Sequence, residues 1–278
     1  MGERPHIRQE FAALVARPDE AIALDRAALL VAAEEYPDLD ITAYQRRLDL
    51  LAAAAGERIG PERQPAQVIA HLNRFLFDEL GFRGNSQDYY DPRNSFLNEV
   101  LDRRLGLPLT LSLVYLEIGR RLGLPLRGVG LPGHFIVLFQ TEPPLYLDPF
   151  NRGTVLTVAD CAALVARLSQ GRVHLRPAHL QPVGPRQILW RLLLNLKYSY
   201  LRRNDLARAL GVIDRLLLLR PEALTERRDR GLVRYRLGHL TCALVDLHAY
   251  LQAAPSAPDA EVIRQKIREV RRLIGWLN

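Results

Sequence analysis

The fold is decided by residues 94–139, which read NSFLNEVLDRRLGLPLTLSLVYLEIGRRLGLPLRGVGLPGHFIVLF, followed by QTEPPLYLDPFNRG at 140–153. The Gly-Leu-Pro sequences at 106–108 and 123–125 divide this stretch into a helix, a second helix and two strands. His134 opens the apolar run HFIVLF, and Asp148 closes the run LYL. Because adjacent strands hold such positions side by side, the pattern predicts His134 in contact with Asp148, as when a carboxylate orients an imidazole.

The region before this stretch is predicted to be helical. Residues 1–80 carry apolar side chains at i, i+3 and i+4 spacing. Asp19 and Asp40 follow breakers and are the predicted N-caps of the second and third helices. Residues 81–93, GFRGNSQDYYDPR, form a polar loop tipped by two tyrosines, and loops of that length are more often functional or lids than simple connectors.

The C-terminal third of the chain shows only helical patterning, and the pattern repeats. Ala209 and Ala243 are 34 residues apart, as are Pro221 and Pro255. A small residue in the second helix and a closing proline are typical of tetratricopeptide repeats, so both alanines are predicted to be buried. Two such units and a terminal helix at 259–276 are fewer than a free-standing solenoid needs. The tail is therefore expected to lean on the rest of the chain, as a packing extension or as a short concave docking surface.

The segment 171–187, GRVHLRPAHLQPVGPRQ, is rich in proline and glycine and indicates a domain boundary. The predicted division is a helical N-terminal region at 1–80, a core at 81–185, and repeats with a terminal helix at 186–278. The predicted fold class is α+β and mostly helical.

Two long pieces of the chain resemble the SirB-type invasion-regulator family of bacteria. They are SFLNEVLDRRLGLPLTLSLVYLEIGRRLGLPLRGVGLPGHF and LYLDPFNRG, and the resemblance extends to EEYPDLD at 34–40 and through most of the chain. It implies a transglutaminase/papain-like core with a small antiparallel sheet, followed by tetratricopeptide repeats. The regulator name does not imply contact with DNA.

The resemblance also implies where a nucleophile would stand. In transglutaminase and papain-like enzymes the chain order is cysteine, histidine, then aspartate or asparagine, and the cysteine begins a buried helix whose dipole lowers the thiol pKa. Counting back from the second Gly-Leu-Pro places the equivalent position at 108–112, which holds Pro, Leu, Thr, Leu and Ser. None of these is a thiol. The triad-like residues are therefore His134 and Asp148, with Thr110 or Ser112 as a hydroxyl in place of the thiol.

Each of these residues also has a structural interpretation. Thr110 suits the N-cap of the helix after Pro108, and Ser112 falls within the first turn of that helix. His134 and Asp148 are equally compatible with a satisfied buried pair. A hydroxyl has a much higher pKa than a thiol, so replacing a cysteine by serine or threonine normally costs activity.

The two cysteines form no disulfide framework and fit a reducing compartment. Cys161 follows both His134 and Asp148, so it could replace the missing nucleophile only against the family order. Cys242 lies where the repeats usually bury small residues and is predicted to be a packing residue.

A metal site is the remaining chemical option. His134 and Asp148 could be joined by Asp91 or Glu117, but no His-x-x-x-His or Cys-x-x-Cys spacing supports it. We therefore predict no metal and no cofactor.

The net charge is +7, and all but two of the 38 basic residues are arginine. Acids stand between the arginines, as in RRNDLARAL, which favours solvated helix faces over a phosphate-binding track and argues against nucleic acid. No run approaches the ~20 apolar residues of a membrane span. The first residues, MGERPHIRQEFAALVARPDE, mix charges with apolar residues and do not form a secretory signal, so a cytoplasmic location is predicted.

The predicted function is a non-enzymatic protein-interaction or regulatory protein. Its degenerate cleft and the concave face of its repeats would hold a protein or peptide partner. The alternative is a hydrolase or acyl-transferase in which His134 activates Thr110 or Ser112 and Asp148 orients the imidazole. Direct nucleic-acid binding through arginine is a third, weaker hypothesis.

Overall fold

The computed structural model describes residues 5–62 and 64–277. The chain divides into two compact units, Met1–Leu192 and Leu193–Asn278, called here the core unit and the repeat unit. Mostly helical units with one small antiparallel sheet confirm the predicted α+β class. Within the described ranges, no helix has the length and apolar character needed to cross a bilayer.

The core unit begins with four helices: α1 (Pro5–Val15), α2 (Leu24–Ala33), α3 (Ile41–Ile59) and α4 (Pro65–Asn73). Asp40 caps α3 as predicted, because its side chain accepts a hydrogen bond from the backbone N of Ala43. The prediction for Asp19 is wrong. The chain leaves the helical conformation at Ile22, α2 begins at Leu24, and Asp19 instead accepts from the backbone N of Arg186 at 2.7 Å.

A short helix and a long one follow, α5 (Leu97–Arg103) and α6 (Pro108–Arg121). Every residue of α6 from Pro108 to Gly119 is buried, and a helix that is apolar on all sides belongs at the centre of a core. The helix ends where Gly123 takes a positive φ of 69°, which accounts for the second Gly-Leu-Pro break. Two two-residue strands, β1 (Arg83–Gly84) and β2 (Leu105–Gly106), pair in parallel beside it.

The main sheet contains β3 (Leu126–Val129), β4 (Ile136–Phe139), β5 (Leu145–Asp148), β6 (Thr154–Leu156) and β7 (Pro182–Val183). Its order is β6-β5-β4-β3-β7, with every neighbouring pair antiparallel. Helix α7 (Val158–Ser169) packs Leu164 and Val165 against Ile136 and Tyr146 of the sheet. The segment 171–187 is thus more than a linker, since β7 inside it completes one edge of the sheet.

The last helices are α8 (Pro185–Arg202), α9 (Leu206–Leu219), α10 (Leu224–Arg236), α11 (Leu240–Ala253) and α12 (Ala260–Leu277). Ala209 on α9 and Ala243 on α11 are fully buried, which confirms the prediction from the 34-residue spacing. Lys197 of α8 forms ion pairs with Glu226 and Asp229 of α10, so the first helices of the two repeats are neighbours.

Candidate functional site

The predicted contact between His134 and Asp148 is present. The Nε2 atom of His134 lies 3.0 Å from each carboxylate oxygen of Asp148, and both side chains are buried. Asp148 is the last residue of β5, as expected. His134 does not open a strand; it stands in the turn before β4, where its backbone N donates to the carbonyl of Leu131. The contact fits an oriented imidazole, and a catalytic role for it stays a prediction.

Asp148 is held by donors other than the imidazole. Its Oδ1 accepts from the backbone N of Phe150 and Asn151, and its Oδ2 accepts from Nδ2 of Asn151 at 2.7 Å. Burial alone would raise the pKa of Asp148, but the hydrogen bonds and charge of His134 and the bonds from Asn151 lower it below its ordinary value. The carboxylate is therefore ionised near neutral pH and keeps Nε2 turned toward it. Among the described residues, none forms a hydrogen bond with Nδ1 of His134.

Arg191 of α8 stabilises the turn that carries His134 through its backbone. Its Nη2 donates to the carbonyl oxygens of Leu131 at 2.9 Å and His134 at 2.6 Å, and its guanidinium lies over the ring of Phe135. Burial lowers the pKa of Arg191. A Cβ on Gly130 would lie 2.6 Å from Nη1, so a larger residue there would displace the guanidinium. The sequence prediction missed Arg191, although an arginine inside the apolar run ILWRLLL is the signal that could have revealed it.

A chain of aromatic side chains leads from the histidine to the protein surface. The ring of Phe150 stands edge-on to His134 at 6.0 Å, Tyr89 contacts Phe150 at 6.3 Å, and Tyr90 contacts Tyr89 at 5.5 Å. Tyr89 is 37% exposed and Tyr90 is 43% exposed. We call Tyr89, Tyr90 and Phe150 the aromatic rim. It gives the predicted loop at 81–93 a specific position beside the histidine.

The loop that carries the tyrosines is fixed by asparagines. Asn85 donates from Nδ2 to Oδ1 of Asn94, and Asn94 donates from its own Nδ2 to the carbonyl of Asp88. Gly84 lies against the rim, since a Cβ there would approach the Phe150 ring to 2.5 Å. The rim is therefore a built surface rather than a loose loop.

The hydroxyl of Thr110 is already engaged. It donates to the carbonyl of Asn94 at 2.7 Å and accepts from the backbone N of Leu107 at 2.9 Å. The N-cap prediction for Thr110 is wrong by three positions, because Leu107 is the N-cap and Thr110 returns a bond to it from inside the helix. This hydroxyl ties the asparagine loop to the start of α6.

Ser112 is fully buried, and its Oγ has no hydrogen-bond partner among the described residues. Neither Ser112 nor Thr110 is hydrogen-bonded to His134 within that part of the chain. The structure therefore brings His134 and Asp148 together but shows no hydroxyl joined to them.

The cysteines do not replace the missing thiol. Cys161 of α7 is fully buried in the cluster of α7 and the sheet, and burial together with the charges of Asp160 and Asp148 raises its pKa to about 11. A thiol in that state is a poor nucleophile. The packing prediction for Cys242 is wrong, since this residue is exposed on α11.

The carboxylates considered for a metal lie in arginine pairs. Arg93 binds Asp91 at 2.7 Å, and Glu117 accepts from Arg120 and Arg121. Among the described residues, no group of three His, Cys, Asp or Glu side chains is arranged to hold a metal ion.

Comparison with protein families agrees with this architecture. Residues 42–194 match the transglutaminase-like superfamily, and residues 196–268 match the tetratricopeptide repeat. A UPF0162 protein of Xylella fastidiosa is 41% identical over 88% of this chain and 89% of its own length. One from Vibrio cholerae is 32% identical, with 74% and 77% covered. The chain therefore belongs to the transglutaminase-like superfamily and, more narrowly, to the UPF0162 family.

More distant similarities also exist. Mouse F-box only protein 21 is 34% identical over 140 residues, which are 47% of this chain and 21% of that protein. The crystal structure of menin, which reveals the binding site for the Mixed Lineage Leukemia protein, aligns with a TM-score of 0.43 and 10% identity over 89% of this chain and 69% of that one. The second likeness is too remote to inform the site.

Proposed function

We propose that this protein is a non-enzymatic interaction protein that holds a protein or peptide partner at the aromatic rim of its core unit and on its repeats. The observation that carries the proposal is the chemistry at 108–112. The hydroxyl of Thr110 is used by Asn94 and Leu107, and the hydroxyl of Ser112 makes no bond to His134. The match to tetratricopeptide repeats supports a role in protein–protein interaction.

The aromatic rim is suited to a partner rather than to chemistry. Tyrosine offers a large apolar face with a polar tip at low entropic cost, which is why it is enriched in binding surfaces. Beneath the rim, Asp148 and Arg191 hold His134 rigidly. Nδ1 of His134 would then serve as a fixed hydrogen-bonding point for the partner.

We also propose a cellular location, a narrower family and a functional division for this protein. The protein acts in the cytoplasm, which free cysteines at positions 161 and 242 support. Its narrower family is that of the SirB-type regulators. Its functional division is a helical region at 1–80, a core at 81–185 and repeats at 186–278.

A photo-crosslinking amino acid in place of Tyr90 tests the rim. The matched control carries it in place of Leu50, which is 72% exposed on α3 of the same unit. We expect one discrete protein adduct from position 90 and none from position 50. The identified partner, once purified, should bind a Tyr89→Ser/Tyr90→Ser variant about tenfold more weakly, as for the loss of about 1.4 kcal/mol at a contact centre. Identical adducts from both positions would reject the aromatic rim as the binding surface.

The enzymatic alternative rests on Ser112, whose buried hydroxyl has no partner in the described chain. Thiol- and serine-directed acylating probes, mapped by mass spectrometry, distinguish it from the proposal. We expect no labelling at 108–112. Labelling of Ser112 or Thr110 that disappears in His134→Ala would establish a hydroxyl nucleophile activated by the imidazole and would overturn the non-enzymatic proposal.

A further inference from the structure

The net positive charge of this protein comes from one of its two units. The repeat unit, 193–278, holds 16 Lys and Arg against 9 Asp and Glu, an excess of seven. This excess equals the net charge of the whole chain, +7, so the core unit is balanced. Scattered arginines in the sequence thus become a strongly basic module in the structure.

Within the repeat unit the charge is concentrated at one edge. Three segments, 199–211 and 232–246 around the ends of α8 and α10 and 266–275 in the second half of α12, hold nine basic residues against three acids. The segments 216–229 and 250–265, at the opposite ends of the helices, hold four basic residues against five acids.

Cross-contacts place the three charged helix ends side by side. Arg236 at the end of α10 donates to Oδ1 of Asn204, which follows α8. Tyr235 donates to Glu269 of α12. Five of the exposed arginines of this surface form what we call the arginine edge: Arg202, Arg203, Arg236, Arg271 and Arg272.

The acids near the arginine edge are already paired. Asp205 binds Arg208 at 2.7 Å, Glu269 binds Lys266 at 2.7 Å, and buried Asp246 accepts from Arg230 and Arg234. By contrast, Arg236 donates to an amide, and Arg271 lies 3.0 Å from Nε2 of His248. The negative end of the helix dipole at three C-termini favours some basic residues here. However, an excess of six basic over acidic residues at one edge is more than this effect explains.

We propose that the arginine edge binds an extended acidic segment of a protein partner. Neighbouring packed helices are about 8–10 Å apart. Acidic side chains three residues apart in an extended chain are separated by about 10 Å, so they would reach successive helix ends. Guanidinium groups bind carboxylates through paired N–H donors. This inference rests on the proposed interaction function and specifies the chemistry of the partner.

The surface favours a peptide over a nucleic acid. A single-stranded nucleic acid needs aromatic faces on which bases stack. The ring of Tyr235, at the centre of the edge, is covered by the Lys266 ammonium at 4.5 Å, and its hydroxyl is used by Glu269. The paired carboxylates of Asp205 and Glu269 also divide the positive surface, which suits the separate carboxylates of a peptide better than a continuous phosphate backbone.

Fluorescence anisotropy with the full-length protein tests this proposal. The probe is a labelled peptide of about ten residues with glutamate at every third position and glycine or serine between. Its matched partner has glutamine at those positions, and an oligothymidine of equal charge tests the nucleic-acid alternative. The edge variant is Arg236→Gln/Arg271→Gln/Arg272→Gln. The control variant, Arg220→Gln/Arg227→Gln/Arg264→Gln, removes the same charge from the opposite edge.

We expect the glutamate peptide to bind at least tenfold more tightly than the glutamine peptide and to weaken at least tenfold in the edge variant. The control variant should change affinity less than threefold. If both variants bound the glutamate peptide equally weakly, the effect would come from net charge alone and the proposal would be overturned. Tighter binding of the oligothymidine than of the glutamate peptide would also overturn it. Circular dichroism melting of both variants establishes that they fold. Failure here would leave crosslinking at the aromatic rim unaffected, so the two proposals fail separately.

Discussion

The core unit and the repeat unit each bury a titratable pair, and the two pairs have different surroundings. Lys197 is fully buried and bridges α8 to Glu226 and Asp229 of α10. His134 and Asp148 are almost as deeply buried, but the exposed aromatic rim stands beside them. A buried ion pair alone indicates only a scaffold contact. What distinguishes a candidate site is the accessible, rigid surface around it.

The largest change in stability is expected when the ion pair between Lys197 and Glu226 in the repeat unit is broken. Lys197→Ala should lower the free energy of unfolding by about 3–5 kcal/mol, because it leaves the buried Glu226 carboxylate without its cation. Urea denaturation measures the loss. The double variant Lys197→Met/Glu226→Leu removes both charges and should recover more than half of it. A single-variant loss below about 1 kcal/mol would mean that the pair behaves as a surface salt bridge.

The core-unit pair should be linked to pH. Asp148→Asn should cost about 2–3 kcal/mol at neutral pH, because the imidazole and three other donors lose a charged acceptor. The folded pKa of Asp148 is lowered, so its contribution to stability is present above the unfolded pKa of about 4 and is lost as the pH falls through the folded value.

The difference in urea midpoint between the native chain and Asp148→Asn should therefore shrink as the pH falls below about 4. The exposed Asp38→Asn serves as the control and should show no such difference at neutral pH. A gap that stays constant across this range would show that the carboxylate acts by shape rather than by charge.

Packing of the repeats gives a smaller effect. Ala209→Leu or Ala243→Leu should destabilise the chain by about 1–3 kcal/mol, because both alanines are fully buried where the helices approach closely. Ala207→Leu, at an exposed position two residues before Ala209, should change stability by less than about 0.5 kcal/mol. Equal effects at positions 207 and 209 would contradict the packing of the first repeat.

The smallest effect on stability is expected at the two cysteines, which should differ in their reactivity. Cys242 should react with a maleimide within the time of mixing, whereas Cys161 should react only after unfolding, because it is buried and its pKa is raised to about 11. Cys242→Ser should leave the melting temperature almost unchanged. Rapid labelling of Cys161 in the folded protein would reopen its role as a nucleophile.

Features that depend on a local sequence pattern were predictable from the sequence. The Gly-Leu-Pro breaks located α6, and the 34-residue spacing located the buried alanines. The contact of His134 with Asp148 was predictable because β4 and β5 are neighbours, although His134 lies in the turn before β4 and not in the strand.

Other features depend on contacts between distant segments. Arg191 reaches the carbonyl of His134 from 57 residues away, and no local pattern marks that distance. The exposure of Cys242 also depends on which face of α11 meets its neighbours. The gathering of arginines at one edge appeared only when the ends of three helices were placed together. The sequence therefore predicts the elements and the central pair, while the surface around each site requires the fold.

The bond between Asp19 and Arg186 has a consequence for synthesis. Asp19 lies in the short segment between α1 and α2, and its side chain accepts from a backbone N that is 167 residues further on. Gly184 must lack a Cβ for the carboxylate to fit, since a Cβ would lie 1.8 Å from Oδ2. As the chain leaves the ribosome, this loop must wait for almost the whole core unit to emerge before its partner exists. The contact is of long range, so it closes late in folding. Asp19 then joins the segment between α1 and α2 to the first turn of α8, the helix that leads into the repeats.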